Sequence, residues 1–125
     1  MIKNPSNSKI QVLNYPLLEG SFEGVKERCI REIQKLISTG RNFVIGHSSL
    51  KRARPRFKDY EKHRGLDVNE IFLIFRCFSK VDAHRMEGFL IDLFKANPNN
   101  RNIRSERNIK DKVNNDEYFV YLACQ

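Results

Sequence analysis

The stretch Glu70 to Phe78 (EIFLIFRCF) constrains the fold more than any other part of the chain. Its centre is apolar on both faces, whereas a strand with one wet face alternates apolar and polar residues. Such a strand belongs inside a sheet, covered above and below, so other elements must supply both covers. Glu117 to Ala123 (EYFVYLA) is a second β-rich run and closes the chain. A third, Asn42 to Ile45, is shorter and stops at Gly46, and Ile10 to Leu13 reads as a short edge strand.

Between these runs the apolar spacing changes from two to about 3.6 residues. Phe22, Val25, Cys29, Ile30, Ile33, Leu36 and Ile37 predict a helix from Phe22 to about Ser38, with Ser21 as N-cap and Gly40 as stop. A second helix is expected from about Pro55 to His63, because proline suits a first helical position. A third is expected from about Val81 to Ala96, started by Ser79 and Asp82 and ended at Asn97-Pro98. Gly46-His47-Ser48-Ser49 is expected to turn, and Ser105 to Val113 to hold one short helix. The order predicts an α/β (α+β) fold, a small three- to four-stranded sheet with three helices packed on it. At 125 residues the chain has room for one domain, expected over 17–125 behind an N-terminal arm at 1–16 whose polar first nine residues read as loose.

Charge narrows the function. The 23 Lys and Arg against 15 Asp and Glu leave a net +8. Residues 51–64 (KRARPRFKDYEKHR) hold seven basic and two acidic groups, a net of +5. Residues 95–112 hold six and two, a net of +4, and the remainder sums to −1. Two basic patches on a near-neutral domain match the footprint of a polyphosphate partner, whose condensed counterions they displace. Neither patch carries the wide apolar face of a membrane-surface helix. The longest apolar run, Ile71 to Phe75, is far short of the roughly 20 residues of a membrane span, and no apolar segment follows Met1 as in a signal peptide. Cys29, Cys77 and Cys124 form no CxxC pair and are expected as buried thiols. An intracellular setting, cytoplasm or nucleus, is the expectation.

Glu87 is unusual. Ala83, Leu90, Ile91 and Phe94 are its neighbours along the third helix, so its carboxylate lies at the margin of an apolar stripe. There it must reach water, pair with a cation or bind a metal. His63 and His84 form no ligand pair by spacing, Phe57 and Tyr60 read as helix anchors, and Ser48 and Ser49 as turn residues.

Taken in order, Val44-Ile45-Gly46, the loop Ser49 to Arg54, the helix with Phe57 to Lys62, an apolar strand, and the helix with Ala83 and Glu87 resemble the GIY-YIG nuclease superfamily over residues 42–103. The resemblance implies phosphodiester hydrolysis in nucleic acid, DNA ahead of RNA, with a single Mg²⁺ or Mn²⁺ held by Glu87. It also implies a phosphate-binding arginine, Arg54 or its rival Arg52, and a trailing asparagine, Asn102 with Asn97 and Asn100 as its rivals. The chain departs from the family at the second-motif tyrosine, which is Val44, and no Gly-Ile-Tyr strand precedes it. Tyr118 or Tyr121 on the last strand, occupying the place of the missing first strand, is one substitute for the lost tyrosines. His47 is another, since imidazole exchanges protons near neutral pH. Loss of catalysis with retention of binding is the third possibility. Lys51, Arg56, Lys58, Lys62, Arg101 and Arg104 are the expected backbone contacts, with Asn102 beside them. The competing functions are a non-catalytic nucleic-acid-binding module and a basic protein-interaction domain.

Overall fold

The computed structural model describes residues 2–62, 66–102 and 116–125. It is an α+β fold in which three α-helices pack on a mixed five-stranded sheet. In chain order the strands are β1 (Gln11–Leu13), β2 (Leu18–Glu19), β3 (Phe43–Ser49), β4 (Glu70–Cys77) and β5 (Tyr118–Cys124). The helices are α1 (Phe22–Ile37), α2 (Ala53–Asp59) and α3 (Lys80–Leu93). A 3-10 turn at Tyr60–Lys62 extends α2.

The sheet order is β1–β4–β5–β3, with β2 also pairing β4. β5 lies antiparallel between β4 and β3, whereas β1 and β2 run parallel to β4. β4 is central and covered on both faces, as its two-sided apolar sequence requires. Ile71 and Leu73 face one core, Phe72 and Ile74 the other. A register irregularity between Leu73 and Phe75 lets Phe75 join Ile74 on the second side. That second core contains α1 and α3 through Cys29, Ile33, Met86 and Leu90. The first contains Phe57 of α2, Leu66 and Val68, and Ile2 and Ile10 of the N-terminal segment.

Four expectations change. The fifth strand, β2, has two residues, too few for any hydrophobic period to show. The expected turn at Gly46 to Ser49 is strand, because β5 pairs with β3 as far as Ser49. α2 begins at Ala53, so Arg54 is helical. The arm is not loose. Ile2 and Ile10 are buried, β1 pairs β4, and Asn4 Oδ1 accepts the Val12 amide at 2.7 Å. The helix expected at Ser105 to Val113 lies outside the described residues. Ser21 and Ser79 do cap α1 and α3, and all three cysteines are free and buried.

Candidate functional site at the β3 edge

Successive side chains of a strand point to opposite faces, so Gly46 and His47 open on opposite sides of β3. On the α3 side, His47 Nδ1 lies 3.0 Å from Glu87 Oε1. Glu87 is 6% exposed and sits among Ala83, Met86, Leu90 and Ile91 on the buried stripe of α3. The separation is that of an ion pair, and Nδ1 makes no hydrogen bond among the described residues. His84, one turn before Glu87, meets the His47 ring edge to face at 5.8 Å, and its buried Nε2 has no hydrogen-bond partner among the described residues.

On the other side, Gly46 faces Tyr121 across the β3–β5 ladder. A Cβ at Gly46 would stand 2.4 Å from the Tyr121 hydroxyl oxygen and 2.5 Å from Cζ. The missing side chain is thus what lets the Tyr121 ring reach across β3. Its hydroxyl shares a 2.7 Å hydrogen bond with that of Tyr60, and the two rings meet edge to face at 5.9 Å. Burial pushes both phenols above their ordinary range. The Arg56 guanidinium opposes this at both hydroxyls, while the Glu87 charge adds to it. Carboxylate, guanidinium and paired hydroxyls therefore feel one another's fields around Gly46.

The outer edge of β3 is set by the segment after α3. Asn99 O accepts the Phe43 amide, and Arg101 N donates to Phe43 O. The Asn102 side chain then replaces a strand, accepting the Ile45 amide at 3.0 Å and donating to Ile45 O at 2.8 Å. Its amide is thereby committed to the residue before Gly46, and it acts by holding the backbone that presents the site.

Of the sequence candidates, Glu87 and His47 come together on the α3 side of β3, and Tyr121 lies on the other side against Gly46. Tyr118 does not join Tyr121: three residues away, it faces the α1–α3 core. Arg54 turns away toward the N-terminal arm, donating to Asn4 O and Ser6 Oγ, and Arg52 is exposed in the turn before α2. The arginine beside the tyrosine pair is Arg56. Lys51, Lys58 and Lys62 are exposed on the same stretch, Arg101 donates to Pro98 O at 2.6 Å, and Arg104 lies outside the described residues. Tyr60 and His84 were missed as site residues. The signal for His84 was its place on the same helical face as Glu87, and Tyr60 carried none beyond its hydroxyl.

Among the described residues no three His, Cys, Asp or Glu side chains gather closely enough to hold a metal ion. One hard cation with water ligands makes a smaller demand. Glu87 offers it a buried carboxylate beside His47 and His84. The residues present fit that ion. No helix among the described residues is long and apolar enough to cross a membrane. No protein-family model, curated protein or solved structure matches the chain.

Proposed function

We propose that the chain is a divalent-metal-dependent nuclease that hydrolyses phosphodiester bonds at the Gly46–His47 edge of β3. The observation that carries this reading is a buried carboxylate, Glu87, beside the His47 imidazole on one face of β3, with the hydrogen-bonded Tyr60–Tyr121 pair and Arg56 on the other. Glu87 would hold the Mg²⁺ or Mn²⁺, which supplies charge neutralisation at the phosphate when bound. Arg56 binds a phosphate oxygen through its planar fork. Tyr121 stays protonated at neutral pH because burial opposes its phenolate, so it acts as a hydrogen-bond donor oriented by Tyr60. His47, 3.0 Å from Glu87, takes the proton of the attacking water. The exposed cations of residues 51–62 position the backbone without reading sequence. DNA is the expected substrate.

The test is incubation of plasmid, single-stranded DNA and RNA with Mg²⁺ or Mn²⁺. Cleavage that falls about 100-fold or more in Glu87→Gln, with unchanged circular dichroism, is the expected outcome. Absence of cleavage, or cleavage equal in the variant, sinks the enzyme reading. The binding-module reading then stands on the cations of α2 alone, which have no carboxylate partner among the described residues.

A further inference from the structure

Arg54 and Lys58 are one helical turn apart on the exposed side of α2, and both point at the same turn of the N-terminal segment. Arg54 Nη2 donates to Ser6 Oγ at 3.1 Å and to Asn4 O at 3.3 Å, and Lys58 Nζ donates to Ser6 O at 2.5 Å. All three acceptors are neutral. Elsewhere cations find carboxylates: Arg41 pairs with Glu70, and Arg76 with Glu19 and Glu117. Arg54 and Lys58 have no such partner among the described residues, although Asp59 and Glu61 lie on the same stretch.

The turn is held at Ile2, Pro5 and Ile10 and exposed at its tip. Ile2 and Ile10 are buried in the α2-side core, whereas Ser6 and Asn7 are exposed. Asn7 adopts φ 55, the left-handed conformation of a tight turn.

We infer that Arg54 and Lys58 form a binding site for a backbone phosphate of nucleic acid, and that the Ser6 turn covers it until that phosphate displaces it. Two cations converge where a hydroxyl and two carbonyls now stand. A phosphate offers the same site charged oxygens, and hydrogen bonds to charged acceptors are roughly twice as strong as neutral ones. The site is separate from the tyrosine pair and Arg56. It rests on the proposed function only in requiring that the chain bind nucleic acid.

The experiment measures anisotropy of a labelled oligonucleotide, single-stranded and duplex, in EDTA across a salt series, with amide hydrogen exchange of the full chain. In the wild-type complex, exchange at the Ser6, Asn7 and Ser8 amides should accelerate. Arg54→Gln/Lys58→Gln should make the log–log salt slope shallower by about 0.9 for each duplex phosphate that the variant no longer neutralises. Ser6→Glu, whose carboxylate holds both cations under the turn, should weaken binding about tenfold relative to Ser6→Gln. Tight binding with unchanged slope and unchanged exchange overturns the covered site while leaving the nuclease reading intact. No binding of either oligonucleotide overturns the covered site, and the cleavage assay with Mg²⁺ or Mn²⁺ decides the nuclease reading separately.

Discussion

Gly46 has a role that no side chain could fill. The Tyr121 ring occupies the position of its absent Cβ, so Gly46→Ala must displace an aromatic ring in a packed core. Overpacking of this kind costs about 1–3 kcal/mol, read as a lower urea midpoint with unchanged m-value. Because Cζ as well as the hydroxyl obstructs the new methyl group, adding Tyr121→Phe should not restore stability. A full rescue by Tyr121→Phe would show that only the hydroxyl is in the way. At this scale the sequence was legible where the chemistry of a single residue was at odds with its surroundings. Glu87 stood out as a carboxylate on an apolar stripe, and it is buried beside His47. The His84 and Tyr60 contributions were not legible, because each depends on which ring lies opposite in space.

The elements divide in the same way. Both long helices were readable from period and cap, since Ser21 Oγ accepts the Gly24 amide at 3.0 Å and Ser79 Oγ the Asp82 amide at 3.3 Å. Ser21→Ala should cost about 1 kcal/mol, measured by denaturant unfolding. β3 was harder. Gly46, His47, Ser48 and Ser49 have turn-like composition, yet pairing with Tyr121, Val120, Phe119 and Tyr118 keeps them extended. Asn102 contributes to the same strand from its outer edge. Asn102→Ala leaves the Ile45 amide and carbonyl without that partner, and each missing bond is worth about 1 kcal/mol. The expected result is a destabilisation of about 1–2 kcal/mol, with faster hydrogen exchange at Ile45. Unchanged exchange at that amide would mean that the side chain does not hold the edge.

For the whole molecule, the buried thiols set an alkaline limit. Burial pushes Cys29 and Cys124 up to about 12 from an ordinary 9.0. Between those values the unfolded chain has released protons that the folded chain retains, so stability falls as pH rises from about 9 to about 12. Each thiol contributes a slope approaching about 1.4 kcal/mol per pH unit. Cys29→Ala should remove one such contribution, which urea unfolding at a series of pH values between these limits would detect. A parallel pH dependence in the variant would show that the thiol does not remain protonated in the folded state.

The sequence by itself determined the class of fold, because a strand apolar on both faces demands covers on both sides, and amphipathic helices were present to provide them. It also determined where the positive charge lies, since charge is a property of residues and not of their arrangement. The tertiary structure alone decided which groups meet. The last strand enters between β3 and β4, placing Tyr121 against Gly46 across more than seventy residues of chain. It turns Tyr118 into the opposite core, selects Arg56 over Arg54 beside the tyrosines, and sets the Ser6 turn over the remaining cations. Strand pairing acts through long-range hydrogen bonds and packing, and no local period in the sequence encodes which strand becomes the neighbour.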